Sequence, residues 1–293
     1  MKAQSLSVVV PNPQCINTCK FCVSKMSANQ YKNQMDDNLP FFDLYVKDYL
    51  KRLSFAKDNG CNTVMLTGDS EPQQNRKFLT YFGLFMQLMA NPFQWIEMQT
   101  TGVLLDQNYL RFLRNHVGVN IISLSISSFD DNENMEIIGC PAPIKFSLDD
   151  LCREIKKYDF SLRFSINLSS AFEAYTPEEL FSTCYDIGAD QVTLRVLYAS
   201  SSDTEQGKWV YDHTLSPQKT QAISEYVKRV GHPLGKLPYG ATKYSVDGMS
   251  VVLDDDCMGK KQCEEATDTY KYLILRPDCK LYSAWDDPAS LIF

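Results

Sequence analysis

The sequence predicts an α/β fold, a partial (βα)6 TIM-like barrel followed by a small β-rich C-terminal cap. Three observations carry that expectation. Strand-like and helix-like stretches alternate six times up to about residue 230, and such alternation implies a parallel sheet with right-handed crossovers. Five of the strands divide by parity into an oily face and a polar face, as successive side chains of a strand must. Beyond Gly231 the alternation stops and two hairpin patterns take its place. The expected division is therefore a barrel over 1–230 and a cap over 231–293.

Taken in order, the first strand reads at Ser5–Val10 and runs into a cysteine-rich loop. Ser24–Leu39 is polar and aperiodic, which reads as a loop over that segment. Pro40 opens a helical stretch, Phe41–Asp58, and Asn59-Gly60 stops it. Further strands read at Asn62–Thr67, Trp95–Thr100, Asn120–Ser127, Leu162–Leu168 and Gln191–Tyr198. Helices read at Arg76–Ala90, Gln107–His116, Leu148–Tyr158, Pro177–Ile187 and Pro217–Val230, the last two opened by Thr176-Pro177 and Ser216-Pro217. In the tail, Lys243–Leu253 reads as a hairpin turning at Asp247-Gly248, and Tyr270–Trp285 as one turning at Asp278-Cys279.

The parity of the strands says where a ligand would sit. Met98, Leu124, Ile166 and Leu194 fall on one face, Gln99, Ser125, Asn167 and Arg195 on the other. The oily face must meet the helices, so the polar face lines the inside of the barrel or one solvated side of an open sheet. Unpaired buried polar groups cost about 1–3 kcal/mol each, so a polar interior calls for a polar ligand.

Composition narrows the function. A net charge of −7 and a pI near 5.1 argue against broad binding to nucleic acid. Met1-Lys-Ala-Gln-Ser leads straight into a strand rather than a signal peptide, and no apolar run approaches the roughly 20 residues that span a bilayer. Ten cysteines without a secretory signal point to a reducing, cytoplasmic setting, where thiols bind metal or stay unpaired.

The central motif is Cys15-Ile-Asn-Thr-Cys19-Lys-Phe-Cys22, directly after the first strand. Three thiols spaced CxxxCxxC on one loop can reach three corners of a [4Fe–4S] cube and leave one iron open. A zinc knuckle or three unligated thiols are the other readings of the spacing, although zinc sites more often close four ligands with CxxC pairs. The spacing and its strand-then-loop context resemble the radical S-adenosylmethionine (radical SAM) superfamily. That resemblance implies a cluster on Cys15, Cys19 and Cys22 whose open iron chelates SAM, with Phe21 as the family's aromatic before the last cysteine.

Ligands of such folds sit at the carboxyl ends of the strands. Thr67-Gly68-Asp69-Ser70-Glu71-Pro72 is similar to the family's Gly-Gly-Glu-Pro segment, with Asp69-Ser70 in place of the second glycine. The likeness implies that Gly68, Asp69, Ser70 and Glu71 meet the amino group of SAM. Gln99-Thr-Thr101-Gly102 looks like the family's Thr-Asn-Gly variant. Ser123–Ser128 resembles its ribose- and carboxylate-binding strand end, which implies roles for Ser125 and Ser127, with Asn167 as a ribose contact. The continuation to Gly139 is reminiscent of the SLDSLDDExxxxITG run in the GTP-derived cyclase of molybdenum-cofactor biosynthesis. Arg195 is assigned to the SAM carboxylate, the alternative being an internal salt bridge to Glu97. His116, His213 and His232 read as structural or surface residues.

The tail looks like the twitch or SPASM appendages of radical SAM enzymes, which hold an auxiliary cluster. Cys279 stands where their hairpin has glycine, and Ala284 where it has a cysteine ligand. Cys257, Cys263 and Cys279 can still form a three-thiolate auxiliary site, and a cluster-free cap is the other reading. Taken together, the resemblance implies a radical SAM enzyme, an oxidoreductase or lyase acting on a small nucleotide-like or peptide substrate. It implies a reductant such as flavodoxin or ferredoxin as partner. A glycyl-radical activase and a non-catalytic cluster- or zinc-binding module are the alternatives.

Overall fold

A computed structural model describes residues 2–26, 46–142, 144–199, 202–237, 241–285 without 255–268, and 287–293. The six barrel strands are β1 (Lys2–Val9), β2 (Thr63–Thr67), β3 (Trp95–Thr100), β4 (Ile121–Ile126), β5 (Ser161–Leu168) and β6 (Gln191–Val196). They pair in that order, all parallel. Between them run Val46–Asp58, Arg76–Leu88, Gln107–Phe112 extended by a wider turn over Leu113–Val117, Leu148–Lys157 and Pro177–Ile187, with Pro217–Val230 after β6. The barrel architecture expected from the alternation is present.

The residues read as a C-terminal cap join the same sheet, at both of its edges. β7 (His232–Lys236), β8 (Thr242–Val246) and β9 (Met249–Asp254) form an antiparallel run whose last strand lies parallel to β6. β10 (Thr269–Leu275) lies parallel to β1 and carries the short β11 (Leu281–Tyr282). Both expected hairpins form. Asp247 and Gly248 take φ of 50° and 83°, the left-handed pair that a two-residue hairpin turn demands. Cys279 also sits at positive φ, 61°, which only the surrounding packing can impose on a cysteine.

The strand parity holds. Met98, Leu124, Ile166 and Leu194 are all fully buried in one core with Phe78, Phe82, Phe85, Phe164 and Phe181. The opposite face carries the polar set and is closed largely on itself. Glu97, 1% exposed, pairs with Arg163, which also donates from Nε to Gln191 Oε1 at 3.0 Å. The internal salt bridge weighed for Arg195 thus falls to Arg163, two rungs below it on the neighbouring strand.

Three helices escaped the periodicity: Asp131–Ile138, Glu205–His213 and the single turn Val23–Met26, which replaces the start of the loop expected from Ser24. The stretch expected as a helix from Phe41 is described only from Val46, and the loop over Ser24–Leu39 lies mostly outside the described residues. Among the described residues no helix is long and apolar enough to cross a membrane.

Candidate functional site

The loop from Pro11 to Cys22 leaves β1 at its carboxyl end and is held from four directions by elements at the same end of the barrel. Gln74, in the turn after Glu71-Pro72, accepts from Ile16 N at 2.8 Å and donates to Gln14 O at 3.0 Å. Asn17 donates from Nδ2 to Thr101 Oγ1 at 2.9 Å. Thr18 N and Lys20 N donate to the last carbonyls of Asp131–Ile138: Thr18 to Ile138 O at 3.1 Å, Lys20 to Ile137 O at 2.9 Å. Lys20 Nζ also pairs with Glu136 at 2.7 Å. Phe21 faces Trp209, ring centroids 6.2 Å apart, and Trp209 stacks on His213 at 4.6 Å. The residues between the cysteines are therefore the anchors of the loop.

Cys15, Cys19 and Cys22 lie close enough to act on one another electrostatically. Burial pushes the Cys15 and Cys19 thiols up, and the neighbouring thiols and the Glu71 carboxylate push the same way. Against this, Asn17 N donates to Cys15 Sγ at 3.4 Å. Among the described residues no three His, Cys, Asp or Glu side chains converge as ligands of a single ion do. A four-iron cluster makes a different demand, since its thiolates bind separate irons.

Glu71 is the electrostatic centre beside the thiols. It is 3% exposed, and burial holds its carboxyl above the ordinary range. Oε2 accepts from Thr101 N at 3.1 Å and from Thr101 Oγ1 at 2.8 Å. Oε1 is buried and finds no partner among the described residues, and the same holds for Oδ1 of Asn17. Two orphaned acceptors flanking one hydrogen-bonded chain, Asn17–Thr101–Glu71, fit a ligand that brings donors, above all an ammonium group. The donor chemistry of the site thus suits both groups that the sequence called for: soft thiols for iron and sulfide, and acceptors for an amino-acid ammonium.

The other expected residues gather in a second group. Asn167 Nδ2 donates to Ser125 Oγ at 3.1 Å and to Ser127 Oγ at 3.2 Å. Arg195 is the register partner of Asn167, and its Nε donates to Ser165 Oγ at 2.7 Å. Gly68, Asp69 and Ser70 lie on the turn after β2, where Asn12 Nδ2 donates to Ser70 Oγ at 2.9 Å. A Cβ on Gly68 would sit 3.1 Å from Val10 O, so a glycine lets this turn lie against the start of the cysteine loop.

Cys257 and Cys263 lie outside the described residues. Cys279 is 3% exposed within the main core, near Asp48 and Arg52 of the helix Val46–Asp58. Asn17, Gln74 and Trp209 are site residues that no motif singled out, whereas Gly139 ends the Phe129–Gly139 run. Only Trp209 had a usable local signal, the N-cap pattern Thr204-Glu205 that opens its helix.

No protein-family model matches the sequence, and no curated protein does. Solved structures do. The protein anSMEcpe with bound AdoMet superposes with a TM-score of 0.60 at 11% identity, over 96% of this chain and 74% of that one. The same protein with AdoMet and the Cp18Cys peptide gives 0.55 at 14% identity, over 78% of this chain and 59% of that one. Coproporphyrinogen III oxidase (HemN) from Escherichia coli, a radical SAM enzyme, gives 0.50 at 14% identity, over 87% of this chain and 63% of that one. In several of these alignments the chain spans about three fifths of its neighbour's length. At such identities the likeness is one of fold, the partial barrel of radical SAM enzymes with further strands at its edges.

Proposed function

We propose that this chain, which has the fold of radical SAM enzymes, is itself one, and that it takes a peptide or nucleotide-like small molecule as substrate. The observation that carries the reading is the placement of Cys15, Cys19 and Cys22 on a loop clasped to Glu71 through Asn17 and Thr101. When bound there, a [4Fe–4S] cluster with one open iron supplies the electron that splits SAM into methionine and a 5′-deoxyadenosyl radical.

The chain's own residues then have separable tasks. Cys15, Cys19 and Cys22 hold three irons. Glu71 Oε1 accepts from the SAM ammonium, and the Gly68-Asp69-Ser70 turn lines its path. Ser125, Ser127 and Asn167 offer hydroxyls and an amide to the ribose, and Arg195 forks onto the carboxylate. The orphaned acceptors become satisfied on binding, which makes occupancy favourable. Hydrogen abstraction from an unactivated carbon is the reaction class, with a flavodoxin- or ferredoxin-like reductant as electron source. The Phe129–Gly139 run and the C-terminal hairpin support placing the chain nearest the molybdenum-cofactor cyclase and twitch-SPASM branch. The peptide bound by the neighbour anSMEcpe supports including peptides among the substrates.

Anaerobic reconstitution with iron and sulfide, followed by dithionite and SAM, tests the proposal. Brown protein that forms 5′-deoxyadenosine, set against a colourless and inactive Cys15/Cys19/Cys22→Ala variant, is the expected result. Protein that takes up zinc, stays colourless and leaves SAM intact would overturn it in favour of a zinc-binding module.

A further inference from the structure

On the inward face of the sheet, among the described residues, Lys243 has no carboxylate paired with it. Tyr244, Val246, Met249 and Val251 pack toward the helices with the main core. Their neighbours Lys243, Ser250 and Val252 therefore share the inward face with Arg163, Thr193 and Arg195, as the register Gln191↔Ser250 and Thr193↔Val252 requires. Arg163 is matched by Glu97. Arg195 stands opposite Asp254 in register. Lys243 makes no ion pair among the described residues. Burial, and then the charge of Arg163, hold its ammonium below the ordinary lysine range. A partly buried ammonium that shares its face with a guanidinium carries a free-energy cost that an anion beside it would recover.

We propose that Lys243 and Arg163 form a binding site for one anionic group, a carboxylate or a phosphate, carried by the substrate inside the barrel. The site rests on the reading above only for calling its occupant the substrate. Its donors suit the assignment: Arg163 is oriented by Gln191 and Glu97, while the lysine is a mobile point charge. It also divides the interior, leaving Asn167 and Arg195 to SAM and Arg163 and Lys243 to the substrate.

Thermal unfolding of the full chain, titrated with inorganic phosphate, acetate or sodium chloride at matched ionic strength, tests this directly. Phosphate or acetate should raise the midpoint saturably and beyond chloride, and the lower half-saturating concentration of the two names the group preferred. Lys243→Arg should keep the effect. Lys243→Met should raise the half-saturating concentration about tenfold or more, the loss expected for one charge-assisted contact. Because Lys243→Met removes a repulsion, it should fold at least as stably as the parent without anion. Equal stabilisation by chloride, or an unchanged anion response in Lys243→Met, would overturn the site. The same titration on the Cys15/Cys19/Cys22→Ala variant should give the parental response, so failure of the radical SAM reading and failure of this site can be told apart.

Discussion

Thr18 and Gly139 meet so closely that no side chain fits between them: a Cβ on Gly139 would lie 2.1 Å from Thr18 Oγ1 and 2.8 Å from Thr18 O. The contact marks the place where the helix Asp131–Ile138 ends. Gly139 closes it in the left-handed conformation, φ 58°, and the carbonyls freed there receive the amides of the cysteine loop. One residue thus terminates a helix and seats the loop that carries the three central thiols.

Gly139→Ala should therefore do two kinds of damage, and Gly188→Ala separates them. Gly188 also caps a helix at positive φ, 100°, but a Cβ there meets nothing within 4 Å. Both variants should lose about 1–2 kcal/mol from left-handed strain. Only Gly139→Ala should also lower the iron bound per chain after reconstitution. Equal iron content in the two variants would show that the Thr18 contact does not position the loop.

The pair Glu97–Arg163 yields a prediction of opposite sign for single and double variants. Arg163→Met leaves a carboxylate that is 1% exposed without its cation. The cost should be about 3 kcal/mol, the lower end for a broken buried pair because Arg163 is itself 25% exposed. Adding Glu97→Gln removes the stranded charge and should restore most of the loss in denaturant unfolding. Additive losses in the double variant would mean the two side chains stabilise the protein independently.

What could be read from the sequence, and what could not, follows from the range of the interactions. Local signals made both element types legible: strand parity places Trp95–Thr100, and a capping residue followed by proline places the helices Pro177–Ile187 and Pro217–Val230, each matching the expected bounds residue for residue. The helix Asp131–Ile138 buries only Asn134, Ile137 and Ile138, and Glu205–His213 only Gly207 and Val210, so neither shows a stripe. β7 is exposed throughout and contains Pro233 and Gly235, which hides an edge strand. The cysteines, Glu71 and Asn167 were legible as motif residues. Their clamps were not, because Gln74 to Ile16, Asn17 to Thr101 and Lys20 to Ile137 join residues brought together only when the barrel curls.

Thiol chemistry should sort the cysteines by burial. Burial raises the Cys61 and Cys152 thiols to about 12, and both are fully buried. A raised thiol pKa means less thiolate, the form that alkylates. Iodoacetamide at about pH 8–9 should label half-exposed Cys140 in the native chain and leave Cys61, Cys152 and Cys184 unlabelled until denaturant is added. Native labelling of Cys61 at the rate of Cys140 would contradict the packing described.

The two side-chain clamps of the cysteine loop should differ in strength, and burial decides which one matters more. Gln74 makes two hydrogen bonds to loop backbone, but it is exposed, so water replaces whatever its removal takes away. Net losses of that kind are about 0.5–1.5 kcal/mol. Asn17 makes one side-chain bond, yet it is 2% exposed and its partner Thr101 is already committed to Glu71. Asn17→Ala leaves the Thr101 hydroxyl short of a donor in a site that water reaches poorly, at a cost of about 1–3 kcal/mol. Asn17→Asp should be worse than Asn17→Ala, because it sets a second carboxylate beside the chain that ends on Glu71 and beside thiols already disfavoured as thiolates by that charge. Iron retained by reconstituted protein during incubation with a chelator should therefore fall in the order parent, Gln74→Ala, Asn17→Ala, Asn17→Asp. Retention by Asn17→Asp equal to that of the parent would show that the Asn17–Thr101–Glu71 chain is not what holds the loop in place.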